Sequence, residues 1–151
     1  MRGRNPAPQA FDPLSAGANE PLALLHFAFR AIVAQPDAKL KQLGLGRVHH
    51  RILFFIAQTP RLRVVDLMAT LAISKQALNG PLRELVRQGL VESVALPGNL
   101  RERRLSLSSS GSALERRLSG HQRRAFTSAF QSAGASAAQG WRRVMLELIR
   151  G

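Results

Sequence analysis

Four polar residues near the middle of this chain, Lys75, Gln76, Asn79 and Arg83, fall on one side of a helical wheel, opposite Leu78, Leu82 and Leu85. An Asn or Gln amide pairs bidentately with adenine and an Arg guanidinium with guanine, each contact discriminating between bases by about 1–3 kcal/mol. Lys75, beside the helix start, is suited to a phosphate instead. Further along, Arg101, Arg103 and Arg104 crowd a four-residue span with one acid, Glu102. The negative potential of a narrow minor groove favours arginine. Arg101 is expected there, with Arg103 and Arg104 alongside it or on the phosphate backbone. Arg61 and Arg63, near the start of an earlier helix, are further expected phosphate contacts. A polar helix face or a charged loop, taken alone, is more often plain solvated surface. The elements that carry these residues decide the matter.

Ser74 is a good N-cap, because its hydroxyl can accept a hydrogen bond from an unpaired first-turn N–H, and it joins the expected DNA contacts. From Ser74 the apolar residues recur at helical spacing as far as Gly89, the residue type expected just past a helix end. Leu90-Val91 and Val94-Ala95-Leu96 read as strand, Pro97-Gly98-Asn99 as a turn, and Leu105 and Leu107 alternate on a returning strand. A recognition-type helix followed by a hairpin with arginines near its tip describes a winged helix-turn-helix, which lays the helix in a major groove. Gly80-Pro81 interrupts that helix. Proline supplies no N–H to the carbonyl of Ala77, so a kink costing up to about 3 kcal/mol is expected.

Charge points the same way. The 151 residues carry 22 Lys and Arg against 9 Asp and Glu, a net charge of +13. Self-repulsion of that size implies a polyanionic partner. Nucleic acid fits better than membrane, since neither end places a basic cluster beside an apolar anchor. With no cysteine, disulfides, thiolate zinc sites and thiol chemistry are excluded. The start of the chain lacks a signal-peptide core, and no apolar run approaches the ~18 residues of a membrane span. A soluble, cytoplasmic protein without membrane contact is expected.

The expected architecture is mostly α with a small β-hairpin: a winged helix-turn-helix core plus N- and C-terminal dimerisation helices. Residues 1–18 read as a flexible arm. Residues 19–43 form an N-terminal helical dimerisation segment, starting at Asn19-Glu20-Pro21 and carrying a stripe of Leu22, Leu25, Phe29, Ile32 and Val33. That helix is expected to stop before Pro36, with a separate short piece from Ala38 to Leu43. Residues 44–111 are the DNA-binding domain, with Val48, Ile52, Leu53 and Ile56 on one helix and Leu67 and Leu71 on the next. Residues 112–151 hold the C-terminal dimerisation helices, broken at Gly134 and Ser136. The terminal helices are too apolar to be satisfied by one small wing, which implies a partner subunit. An isologous dimer matches a palindromic operator.

His49 and His50 are adjacent and point in different directions, while His26 and His121 are isolated, so neither a metal site nor a cofactor is expected. Trp141 and Phe126 read as packing residues. No nucleophile elbow, phosphate-binding glycine loop or His-Glu metal motif is present, and no enzymatic activity is expected.

From Leu45 to Gly111 the chain resembles the MarR family of bacterial transcriptional regulators. The matching residues are Val64-Val65-Asp66-Leu67, Ile73-Ser74-Lys75-Gln76-Ala77-Leu78, Leu85, Gly89-Leu90-Val91, Asn99-Leu100-Arg101, Leu105, Leu107 and Gly111. The resemblance implies a homodimer built from N- and C-terminal helices, a recognition helix in the major groove and a wing arginine in the minor groove. It also implies a small aromatic or anionic effector held between the DNA-binding and dimerisation parts, a region that His26, His49 and His50 would approach. Three features depart from the family's pattern, one of them the Gly80-Pro81 interruption of the recognition helix. Asn99 stands where an acidic residue usually opens the wing motif, and Arg63 stands where the family often has a capping Ser or Thr.

The function expected is therefore that of a homodimeric, ligand-responsive repressor of transcription, bound to a pseudo-palindromic site in double-stranded DNA. The alternative is a non-specific, nucleoid-associated architectural protein with no effector. A winged helix used only to bind another protein is a third reading.

Overall fold

The computed structural model describes residues 10–151, so the first half of the arm expected over residues 1–18 lies outside the described residues. The chain divides between Ala34 and Gln35 into two units. In the first, the Asp12 carboxylate accepts a hydrogen bond from the Leu14 N–H at 3.0 Å and opens a 3-10 turn over Pro13–Ser15. A second such turn, Gly17–Asn19, leads into helix α1, Glu20–Gln42. Glu20 lies near the positive end of the helix dipole, and Pro21 falls in the first turn, where its missing N–H costs nothing. Phe11 stacks on Phe27 with ring centroids 6.1 Å apart, and His26 meets Phe27 edge-on.

One expectation fails here. α1 does not stop before Pro36 but runs through it to Gln42. Pro36 withholds one hydrogen bond from the carbonyl of Ile32, a local penalty of about 3 kcal/mol. Pro36 is itself buried and Leu40, one turn on, is fully buried. Burying such side chains returns about 1.5–3 kcal/mol each, so packing outweighs the local preference.

The second unit begins within α1 and contains the winged core. Helix α2, Arg47–Gln58, buries Ile52, Leu53 and Ile56. Beyond it Arg61 adopts φ 61°, a left-handed conformation uncommon outside glycine. That bend starts strand β1, Leu62–Arg63. Helix α3, Val64–Leu71, ends at Ala72, also left-handed at φ 51°, and the short turn leads to Ser74. The Ser74 hydroxyl caps helix α4, Lys75–Arg87, by accepting from the Ala77 N–H at 3.1 Å.

α4 continues through Gly80-Pro81. A side chain on the residue before proline clashes with the proline ring in helical conformation, and Gly80 has none. Fully buried Leu78 and Leu85 anchor the helix on both sides of the proline.

Strands β2, Val91–Leu96, and β3, Asn99–Leu107, form the expected hairpin, with a register shift between Ala95 and Leu96. β1 adds a third antiparallel strand, giving the order β1-β3-β2, with Leu62 opposite Leu105 and Arg63 opposite Arg104. Two residues are too few to show alternation, which is why the sequence concealed this strand. Helix α5, Ser109–Ala133, is capped by the Ser108 hydroxyl, and helix α6 spans Ala135–Arg150. The break between them falls at Gly134 alone (φ 91°), and Ser136 is already helical. Phe126, Phe130 and Trp141 pack their rings within 5.7 Å of one another and tie α6 back onto α5. The core of this unit joins Leu40 and Leu45 to Ile52, Leu67, Leu78, Leu85, Leu105 and Leu118, so every helix from α2 to α5 contributes to it.

Candidate nucleic-acid interface

Lys75, Gln76, Asn79 and Arg83 are all exposed, on the side of α4 away from Leu78 and Leu85. Among the described residues neither Lys75 nor Arg83 is paired with a carboxylate; the acid of this helix, Glu84, is gripped by Arg87 (Nε to Oε2, 2.9 Å) and Gln88 (Nε2 to Oε1, 2.7 Å). Those two donors hold the Glu84 carboxyl down to about 2, so it stays ionised, with its charge matched by Arg87 rather than by the polar-face cations. Gln88 also donates to the Leu43 carbonyl at 3.3 Å, fastening the end of α4 to the turn after α1. Gly80 shares the polar face with Gln76, Asn79 and Arg83, at helical spacing, and its Cβ position opens on empty space. Sequence reasoning treated Gly80 as an interruption. Its missing side chain also lets the backbone itself come close to a ligand lying on that face.

The three wing arginines separate by their partners. Arg103 donates from Nε to the Ser93 hydroxyl at 2.7 Å and from Nη2 to the Ser93 carbonyl. Arg104 pairs with Glu102 at 2.7 Å and reaches the Arg61 carbonyl at 3.4 Å. Both guanidinium groups thus brace the sheet. Arg101 remains exposed at the tip, its side chain in no ion pair among the described residues. Its backbone N–H donates to the Asn99 side-chain oxygen at 3.2 Å, as does that of Glu102 at 3.3 Å. Asn99 therefore shapes the turn through its amide oxygen, the role a carboxylate would play, with no net charge beside Arg101.

Arg63 precedes α3 without capping it by its side chain. Its guanidinium instead makes a two-point contact with Asp66, at 2.6 and 2.7 Å, which raises the Arg63 pKa and lowers that of Asp66. Arg61 is exposed on the left-handed bend before β1.

The histidines take separate positions. His49 Nδ1 accepts from the Gly46 N–H at 2.9 Å and closes the first turn of α2. His50 Nε2 lies 3.1 Å from the Ser119 hydroxyl, joining α2 to α5. Burial lowers the pKa of both rings; for His50 the charges of Glu115 and Asp37 oppose that shift without reversing it. His26 lies in the N-terminal unit against Phe27. Among the described residues no group of His, Asp and Glu could hold a metal ion, and no helix is long and apolar enough to cross a membrane.

Comparison with known proteins settles the family. The model of the MarR family matches residues 43–102. The HTH-type transcriptional regulator PetP of Rhodobacter capsulatus is 43% identical over 121 residues, which cover 80% of this chain and 73% of PetP. The chain belongs to the MarR family. MarR-type winged helices bind DNA and regulate transcription, and the chain is a transcriptional regulator rather than an enzyme. Solved structures share the MarR fold at low identity. The PcaV regulator of Streptomyces coelicolor, crystallised with its natural ligand, superposes with a TM-score of 0.68 at 15% identity, covering 95% of this chain and 98% of PcaV. A point mutant of S. aureus MepR bound to an oligodeoxyribonucleotide gives 0.60 at 16% identity, covering 86% and 96% of the two chains.

Proposed function

We propose that this MarR regulator acts as a homodimeric, ligand-responsive repressor on a pseudo-palindromic operator. The observation that carries the reading is the exposed row Lys75, Gln76, Asn79 and Arg83, set opposite fully buried leucines and followed by a wing whose tip presents Arg101. In this reading α4 enters the major groove, with Gln76, Asn79 and Arg83 on base edges and Lys75 and the exposed edge of Ser74 toward phosphate. Arg101 enters the neighbouring minor groove. Arg103 and Arg104 hold the hairpin in place, and Arg61 and Arg63 lie along the backbone. The oligodeoxyribonucleotide bound to MepR supports DNA as the partner.

Exposed apolar side chains support the dimer. In α6, Val144, Leu148 and Ile149 are 55%, 67% and 80% exposed, and the first half of α1 leaves Leu22 and Leu25 at 67% and 55%. Rows of this kind are uncommon on a monomer and mark surfaces that a partner covers. A second copy would supply the matching half-site reader. The ligand in PcaV supports an effector. His50, at the α2–α5 junction, is the histidine best placed to couple such a molecule to the DNA-binding half, with His49 and His26 as further candidates.

In vitro selection from random duplexes tests the reading. A two-fold symmetric motif with half-sites about one helical turn apart is expected, bound ~10³-fold or more tighter than random DNA. A ratio near unity would instead make the protein a non-specific architectural DNA binder.

A further inference from the structure

The positive charge of this chain is not confined to the proposed DNA-reading side. Between the second half of α1 and the middle of α5 runs an open cleft of about 750 Å³, lined by Lys39, Arg116, Arg117, His121 and Arg124 and by no carboxylate. Volumes of this order hold nucleotide-sized ligands. The ion pairs among the described residues lie elsewhere: Asp37 is engaged by Arg47, Asp66 by Arg63, Glu84 by Arg87, Glu102 by Arg104 and Glu147 by Arg150. Arg116, Arg117 and Arg124 therefore line one opening without an ion-pair partner among the described residues.

Gly120 supplies a second, independent feature. A side-chain carbon there would sit 3.5 Å from Arg124 Nη1 and 3.7 Å from Arg123 Nη2. The guanidinium groups of two neighbouring, exposed arginines thus pass over the same glycine. Guanidinium groups that line one opening can each offer several N–H donors to an oxyanion, and contacts between ionised partners are about twice as strong as neutral ones. A single negative charge would leave most of the cleft's charge uncompensated.

We infer that this cleft binds a small soluble ligand carrying two or more linked phosphate groups, at a site on the α1–α5 side separate from the DNA-reading face. Arg117 and Arg124, about two and about four turns into α5 from its exposed start, would clasp the phosphates from one wall while Lys39 closes from the other.

Calorimetric titration of the full chain with inorganic tripolyphosphate, at ~0.15 M salt where long-range attraction is screened, tests the site. One tripolyphosphate per chain is expected, bound at least about tenfold tighter than inorganic phosphate. Arg117→Gln with Arg124→Gln should weaken it by about tenfold or more. Arg142→Gln with Arg143→Gln, which removes the same charge from α6, should leave it within about twofold. Lys39→Gln, on the opposite wall, gives a separate partial loss should the double variant fold poorly. Absence of saturable binding, or equal losses in the two double variants, would overturn the proposal. So would a random-sequence oligonucleotide that displaces tripolyphosphate and shows the same dependence on Arg117 and Arg124, since that result assigns the cleft to a nucleic-acid backbone. Operator binding by the parent is scored separately, so failure of either reading leaves the other standing.

Discussion

Gly111 passes so close to Leu90 that a side-chain carbon on the glycine would lie 1.9 Å from the Leu90 carbonyl oxygen. Around this contact the start of α5 is stitched to the turn after α4. The Ser108 N–H donates to the Leu90 carbonyl at 3.1 Å, and the hydroxyls of Ser108 and Ser110 donate to the Gly89 carbonyl at 2.6 and 3.1 Å. The end of the recognition helix, the first residue before the wing and the long helix α5 thus meet at one glycine. A backbone oxygen cannot withdraw from an added methyl without moving a strand. Gly111→Ala should therefore cost at least the ~1–3 kcal/mol typical of overpacking, read as a lower urea midpoint. An unchanged midpoint would mean that the joint yields freely.

Arg101 and Arg103 make a discriminating pair on the wing. Arg101→Ala should weaken operator binding and reduce the slope of log K against log salt by about 0.9, the value of one lost phosphate-type contact. Arg103→Ala should leave that slope nearer the parent's and lower thermal stability instead, because it frees Ser93 from the hairpin brace. Fluorescence anisotropy over a salt series separates the two outcomes.

On α4, Asn79→Ala and Arg83→Ala should relax base preference at one or two operator positions by about 1–3 kcal/mol each. Repeating the selection with each variant reads this directly. A motif identical to the parent's would remove those residues from the base-contact set.

Pro81→Ala restores an N–H to the Ala77 carbonyl in the middle of α4. Stabilisation of about 1–3 kcal/mol is expected by urea denaturation. If the proline is kept for the aim of the leading turn, the same variant should bind the operator more weakly despite being more stable.

His50 makes stability depend on pH. Burial holds its pKa below the ordinary 6.5, against the smaller pull of Glu115 and Asp37. Between that lowered value and 6.5 the unfolded chain binds more protons than the folded one, so stability rises with pH there. It is full above 6.5, falls as pH drops through 6.5 toward the folded value, and levels off below it. His49 acts in the same direction. His50→Gln, which keeps a donor for Ser119, should reduce but not abolish the loss of urea midpoint between about pH 7.5 and 5.5. An unaltered loss would place the titration at another group.

Much of this molecule was legible from short-range pattern. Ser74 and Ser108 announce their helices because a cap needs only a hydroxyl and an N–H a few residues away. The α4 periodicity separated Leu78 and Leu85 from the polar row, and the wing's turn and alternation marked its hairpin. Other features depended on groups far apart in the chain. Pro36 reads as a helix end until the burial of Pro36 and Leu40 is counted, and Leu62–Arg63 becomes a strand only because β3 lies beside it. Three wing arginines look alike in sequence; Ser93 and Glu102 engage two of them, and among the described residues Arg101 is the one whose side chain has no partner. Sequence determines what backbone and side chains favour within a turn or two. Tertiary structure decides which charges find partners and which local penalties are overridden, because both depend on what long-range packing brings into contact.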